Sequence, residues 1–477
     1  MRHAAALAVA FAAALATASA ARAEDPPLAG YSNGGFFIHD PHDWFVLFPS
    51  GRLQVDWINF LNRGDAPAGV TPNEFRDNRP DNTLDVRRAR AEIMGTIFKH
   101  FDFHFAGEWA SVPGVGHIGT VADAYVIVNY TRYCQLQLGQ FDIPFSLENR
   151  TWDNYQDFME RSVTGRLVVG PIGKDAGGMV FGWLPKNVAY YSIGLFNGDG
   201  NNIKNQDDYL MVAMRGFVAP LAPWAAGRAW MQQLWIGASF WWQTAKNLGA
   251  VAAPNANDLT GPAQNDLPTI TTQGGQFFFN GNYDNGLAHS HLAPNGTIYK
   301  WALEANIPAG RMGLRFELMH DSIDLMQYNT SFDSSTLFVR STSPGARLDG
   351  LGYYIEAYAW ILGDIDFLEP PGLEAMPRLR PYTQTSAPRW GLMIAAKYEH
   401  LGLDVIGLPA TTARDPAEGH YQLDTFELGI NAWATRHARL TTNYVINYFD
   451  GDSTRIRRNF FYQRVEHELL FRLGVTL

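Results

Sequence analysis

Along the last thirteen residues the chain alternates. Val465, Leu469, Phe471, Leu473, Val475 and Leu477 share one face, with His467 the single polar exception, while Glu466, Glu468, Arg472 and Thr476 share the other. A period of two is the pleat of a β-strand with one apolar and one polar side. The same parity recurs upstream. Phe101, Phe103 and Phe105 oppose Asp102 and His104; Met312, Leu314, Phe316 and Leu318 oppose Arg311, Arg315 and Glu317; Trp390, Leu392, Ile394, Ala396 and Tyr398 oppose Lys397 and Glu399. The pattern predicts sixteen strands, near 51–61, 84–98, 100–111, 121–131, 133–141, 176–184, 187–197, 208–219, 232–245, 298–307, 310–323, 351–362, 388–400, 421–435, 437–449 and 464–477. Connections alternate in length. Lys99–His100, Arg132, Pro185–Lys186, Pro308–Ala309 and Arg436 are short, whereas 62–83, 142–175, 246–297, 324–350 and 401–420 are long. Two connections, 220–231 and 363–387, fall where short turns belong and are not short. An even strand count with short turns on one rim and long loops on the other predicts an all-β fold, a transmembrane antiparallel β-barrel. After Ala23 charged residues interrupt every apolar run. A closed barrel is then the structure that satisfies its own backbone hydrogen bonds in lipid.

The first 23 residues stand apart. Arg2 and His3 precede an apolar run from Ala4 to Leu15, and Ala21-Arg22-Ala23 closes it as a small-x-small cleavage site. This is the print of a secretory signal peptide, which leaves 24–50 as a periplasmic lead-in and 51–477 as the barrel. Losing Arg2 and Arg22 moves the net charge from -10 to -12. An acidic chain argues against nucleic acid as a partner. The single cysteine, Cys134, allows no internal disulfide.

Several stretches carry a resemblance. Gly51-Arg52-Leu53-Gln54-Val55-Asp56 is followed by Val86-Arg87-Arg88-Ala89-Arg90, then by Asp123-Ala124-Tyr125, by the run from Leu138 to Glu148, by Phe158-Met159-Glu160-Arg161-Ser162 and by the run from Gly194 to Gly200. In content and order they resemble the phosphate-selective porin O and P family. The resemblance extends from about residue 35 to the end and is poorest over 220–300. It implies a sixteen-stranded, trimeric barrel whose third outer loop, here 142–175, folds into the lumen. The terminal residue departs from the pattern: outer-membrane strands usually end in an aromatic, and this one ends in Leu477.

Such a protein makes and breaks no bonds; its working parts are a constriction and the charges lining it. Parity turns Arg88, Arg90, Arg215, Lys300, Arg311, Arg315, Lys397, Arg439 and Arg472 inward, against Asp56, Glu92, Asp102, Glu108, Asp123, Glu304, Glu317, Glu356, Glu399, Glu427, Glu466 and Glu468. The wall is therefore mixed. On closure the strands carrying Arg439, Arg472, Arg88 and Arg90 become near neighbours and draw a diagonal basic strip, fed from outside by Arg455, Arg457 and Arg458. The alternative is that these arginines pair with Glu92, Glu466 and Glu468 and merely fill the wall. The expected anion path is Arg88, Arg90, Arg439, Arg472, Arg315 and Lys397. The expected constriction loop carries Glu148, Arg150, Glu160, Arg161, Arg166 and Lys174, with Glu160-Arg161 docking it on the wall. Inward Trp235, Trp241, Tyr354, Tyr358 and Trp360 offer faces for sugars, although packing against the loop is the commoner use of such rings.

His39-Asp40-Pro41-His42-Asp43 contains metal-type ligands but reads as a solvated turn, and no metal, cofactor or catalytic set is expected. The sequence points to passive diffusion of small hydrophilic solutes, anions such as phosphate, through a homotrimer set in the lipid of a Gram-negative outer membrane. It leaves open a general or sugar-admitting porin. In another class it leaves a barrel-bound enzyme or a surface protein displaying 246–297.

Overall fold

A strand with apolar and polar faces still has two open edges, and in lipid every edge must be paired. In the computed structural model every described strand of the barrel wall is paired on both sides. The structure describes residues 28–32, 35–61, 82–110, 119–170, 173–205, 207–225, 228–246, 270–279, 281–284, 288–331, 339–363, 371–373, 390–407, 418–451 and 464–477. The signal segment and Arg455, Arg457 and Arg458 lie outside the described residues. Among those described, sixteen strands form the wall. They are β1 (Phe45–Phe60), β2 (Asn82–Ile97), β3 (Phe101–Glu108), β4 (Thr120–Thr131), β5 (Cys134–Asp142), β6 (Lys174–Trp183), β7 (Ala189–Phe196) and β8 (Met211–Val218). They continue with β9 (Trp235–Ala245), β10 (Ala288–Ala309), β11 (Met312–Ser331), β12 (Val339–Gly363), β13 (Gly391–Ile406), β14 (Gly419–Thr435), β15 (Ala438–Gly451) and β16 (Val465–Thr476). Each pairs antiparallel with the next, and β16 returns to β1 with Arg472 opposite Asp56, which closes the barrel.

All sixteen expected strands are present; their ends differ. β1 begins at Phe45 rather than 51, taking part of the expected lead-in, and a hairpin of Ala29–Ser32 and Gly35–His39 pairs with it through Ile38 and Leu47. β10, β11 and β12 run 22, 20 and 25 residues. Residues 288–297 and most of 324–350 are therefore strand rather than loop. About ten residues cross the membrane. Beyond it the ladder continues with apolar side chains buried inside, among them Leu292, Ile323, Leu325 and Leu348, so the apolar-out, polar-in alternation that betrays a membrane strand is lost. The connection after β8, longer than a turn, holds helical turns at Ala222–Trp224 and Ala229–Gln232.

The outer face is apolar where lipid lies. Ile93, Phe105, Leu138, Ile193, Leu303, Leu314, Ile394, Leu428 and Leu473 are all exposed. Around a soluble fold such a band would drive aggregation; around this one it is the lipid contact. Aromatic pairs rim it, Trp44 with Phe98 and Phe101 with Tyr130 at the short-turn end, Trp301 with His320 and Tyr398 with Phe426 towards the other. Such girdles mark the two interfaces.

A short-turn rim that faces the periplasm makes a prediction. Lys99 is exposed on the turn between β2 and β3. With Cys134 changed to Ser, Lys99→Cys should react with a membrane-impermeant maleimide only after the outer membrane is opened. Labelling in intact cells would reverse the orientation.

Candidate pore and its lining

Between β5 and β6 the chain leaves the wall. The amide of Ile143 donates to Gly173 O at 3.0 Å, which pinches the base of the excursion. Lys174 bridges Asp123 at 2.6 Å and Asp142 at 2.9 Å beside it. From there residues 143–170 meet inward-facing side chains of β9 to β16. On β11, Glu317 accepts from Leu147 N at 2.7 Å, Glu148 N at 3.1 Å, Ser146 Oγ at 3.1 Å and Tyr354 Oη at 2.8 Å. A buried carboxylate is costly unless hydrogen-bonded, and here one carboxylate takes four donors.

The helix α1 (Val163–Val169) is held in the same way. Ser162 caps it, accepting from Gly165 N at 2.9 Å and donating to Glu148 at 2.6 Å. A side-chain oxygen at the first turn supplies a partner that the helix itself lacks. Glu399 of β13 accepts from Thr164 N at 2.5 Å, and Lys300 of β10 donates to Val168 O at 2.6 Å. An anion at the start and a cation at the end match the helix dipole. Gly352 of β12 allows the close seat, since a Cβ there would stand 2.5 Å from Thr164 Oγ1.

Two further segments reach the lumen. Glu468 accepts from Thr272 Oγ1 at 2.5 Å and Gly274 N at 2.7 Å. Residues 270–279 are thus pinned inside, although the sequence reading put all of 246–297 in a displayed loop. From the opposite rim, Gly372 N donates to Thr151 Oγ1 at 2.7 Å and Gly372 O accepts from Arg215 at 2.5 Å. Of the inward carboxylates of β9 to β16, Glu317, Glu399 and Glu468 hold inserted chain, while Glu304, Asp321, Glu356 and Glu427 pair with wall cations.

The larger described cavities lie on the other side. A cavity of about 130 Å³ is bounded by Arg52 of β1, by Arg87, Arg88 and Arg90 of β2, and by Asp153, Glu160, Arg161 and Arg166 of the inserted segment. A second, of about 80 Å³, lies towards the short-turn rim against Arg439, Arg472, Arg436 and His437. Asp153 borders both. Among the described lining residues the first has seven basic and five acidic side chains, and the second three basic and one acidic.

Two carboxylates of the inserted segment sit among these arginines. Glu160 receives Arg87 through Nε at 2.9 Å and Nη2 at 3.1 Å, and Arg472 at 2.7 Å. Arg472 also forks onto Asp56 at 2.7 and 2.6 Å and donates to Met159 O. Asp153 has Arg88 at 3.0 Å, Arg52 and Arg90 at 3.6 Å and Arg161 at 3.9 Å. Burial opposes the charge on both acids. Arg88, Arg90, Arg161 and Arg52 nevertheless hold the Asp153 carboxyl well below the usual carboxylate range, and Arg87, Arg472 and Arg88 do the same for Glu160.

Comparison with known proteins agrees with this geometry. The family model for phosphate-selective porin O and P matches residues 63–339, more than half of the chain. The chain belongs to that porin family. No curated protein matches it in sequence. Among solved structures it is similar to OmpT, an outer membrane protein of Vibrio cholerae, in its loop L8 deletion mutant, with a TM-score of 0.51 at 9% identity over 91% of this chain and 100% of that one. The in-vitro folded OmpT gives a TM-score of 0.51 at 8% identity over 91% of this chain and 98% of that one. At such identity the likeness shows the fold.

In this outer-membrane porin the expected lining residues divide into two groups. Arg88, Arg90, Arg439 and Arg472 border the two cavities. Arg315 and Lys397 do not: Arg315 is locked to Asp157 at 2.6 Å and Glu356 at 2.5 Å, and Lys397 to Glu427 at 2.9 Å, both beneath the inserted segment. Parity gives their direction correctly but not what covers them. Arg311 is exposed at the rim, donating to Trp360 O at 3.0 Å and Gly363 O at 3.1 Å, rather than facing the lumen. Within the inserted segment Glu148 ties Ser162, Arg150 donates to Asp142 O at 2.6 Å, Arg161 to Asn149 at 2.9 Å, and Arg166 to Thr271 at 3.2 Å. Trp235, Trp241, Tyr354 and Trp360 are buried in packing, Trp241 edge-on to Phe145.

Two basic residues escaped the sequence reading. Arg52 shares parity with Asp56 and could have been found. Arg87 could not, because a β-bulge between Gln54 and Val55 leaves it unpaired and admits both Arg87 and Arg88 to the lumen side. Re-aiming a side chain is what a bulge does.

The grip of Glu317 can be tested. Glu317→Ala leaves three donors of the inserted segment without their acceptor, at a cost of about 1–3 kcal/mol for each group left unsatisfied. The barrel should still show heat-modifiable gel migration. Single-channel conductance should rise, and protease should cut within 143–170. A variant with parent conductance and no new cleavage would mean that the segment is held by other contacts alone.

Proposed function

We propose that this porin is an anion-preferring diffusion channel for small hydrophilic solutes, phosphate-sized oxyanions among them, constricted by residues 143–170 and working as a homotrimer. One observation carries the reading: the cavities of about 130 and 80 Å³ beside the inserted segment are lined by more basic than acidic side chains, whereas a smaller one of about 20 Å³ against Arg315 is lined by four acids and one base. The basic groups of the two larger cavities are mostly arginines, whose planar fork suits phosphate and carboxylate. The net acidity of the whole chain does not oppose this, because charges count where ions pass and much of the wall's acid is paired beneath the inserted segment. The sugar-admitting alternative loses most of its aromatic faces, which are buried in packing.

The test is the reversal potential of purified protein in a planar bilayer under a potassium chloride gradient. The parent should prefer chloride. Arg88→Gln should lower the anion-to-cation permeability ratio by roughly twofold or more, since a charge beside a confined aqueous path acts at lower effective dielectric than bulk. Lys99→Gln, on the exposed rim, should leave the ratio unchanged. Cation preference in the parent would overturn the anion reading, and absence of any conductance would favour a structural role.

A further inference from the structure

Asp153 is surrounded by Arg52, Arg88, Arg90 and Arg161, yet it is not tightly bound. Only the Arg88 contact, at 3.0 Å, is of hydrogen-bond length; the others are 3.6, 3.6 and 3.9 Å. Glu160 is the contrast, held by a two-pronged fork from Arg87 and by Arg472 at 2.7 Å. Each arginine around Asp153 also has a second anchor. Arg52 reaches Glu92 at 2.8 Å, Arg90 reaches Glu108 at 2.6 Å, Arg88 reaches Gln54 at 2.7 Å and Arg161 reaches Asn149 at 2.9 Å. The four would keep their places if Asp153 swung away. Two of those anchors, Gln54 and Asn149, are neutral amides, so the emptied cage would carry uncompensated positive charge; Arg88 would retain only a 3.9 Å approach to Glu160. Arg52 and Arg90 stand directly opposite each other on paired strands. Like charges so placed repel, which favours an anion between them. Asp153 also borders both cavities and so stands where they meet.

We infer that the four-arginine cage is an oxyanion site which the chain fills with its own Asp153 carboxylate, and that a permeating phosphate or carboxylate passes by displacing Asp153 from it. The inference rests on the anion-channel reading and adds the site at which solute and protein compete. The strength of solute binding is then set by a tethered competitor. Its depressed pKa keeps that competitor charged.

The experiment is block of chloride current by inorganic phosphate in planar bilayers, for the parent, Asp153→Asn and Asp153→Glu. Asp153→Asn keeps the size and removes the charge. It should lower the half-blocking phosphate concentration at least tenfold, equivalent to about 1.4 kcal/mol. Asp153→Glu keeps a tethered carboxylate and should stay near the parent. Heat-modifiable migration checks that each variant is folded. If Asp153→Asn blocks at the parent concentration while the parent still prefers chloride, the displacement inference fails and the anion channel stands. If both variants tighten equally, the effect is one of loop shape and the inference also fails. A cation-preferring parent overturns both readings.

Discussion

A charge that strand parity turns into a barrel must find its partner inside, and the arrangement of this lumen follows from that constraint. Parity turns twelve acids inward, too many to leave facing water in a narrow space. Glu317, Glu399 and Glu468 accept hydrogen bonds from backbone amides of chain that enters the lumen, supplied by Leu147, Glu148, Thr164 and Gly274. The wall carboxylates and the inserted segments therefore account for each other. Remove the acids and the amides are orphaned; remove the segments and the acids are.

That mutual satisfaction divides the lumen. Beneath the inserted segment lie closed pairs such as Lys397 with Glu427 and Arg215 with Glu304, the latter two-pronged. Buried pairs of this kind contribute little net stability when intact, but losing one partner is costly, on the order of 3–5 kcal/mol. They act as fixed floor beneath the segment. Beside it, arginines from β1, β2, β15 and β16 meet only part of the acid they would need, and the larger cavities lie there. The wall is mixed in composition and sorted in space.

How much of this the sequence disclosed depended on which quantity had a period. Strand existence did, because Leu469, Phe471 and Leu473 can be read as one face without knowing their neighbours. Strand ends did not: above the membrane Leu292, Leu325 and Leu348 of β10 to β12 are buried inside, which breaks the apolar-out pattern, and the Asn, Ser, Thr and Gly around them read as loop. Direction was legible too. Arg88, Arg90, Arg439 and Arg472 were found by counting in twos. Coverage was not, since Lys397 has the same parity as an open lining residue and only the position of α1 and its neighbours decides that it is closed off. Arg87 was hidden for a third reason. The bulge beside Gln54 and Val55 breaks the count itself, and no rule of alternation survives an extra residue.

The arginines beside the path present the converse problem. Arg52 and Arg90 face each other across paired strands, with Arg88 one pleat away. At an effective dielectric of about 20, like charges a few ångströms apart repel by several kcal/mol, so the cluster requires anions among its members. Glu92 and Glu108 meet part of the need from the wall, and Asp153 and Glu160 meet a further part from the inserted segment. The segment thus has two electrostatic roles on its two sides. Its backbone amides donate hydrogen bonds to acids on the far wall, and its carboxylates pair with arginines on the near one. A mobile anion in the path would add to the second role. A cation there would compete with the arginines for the same few carboxylates.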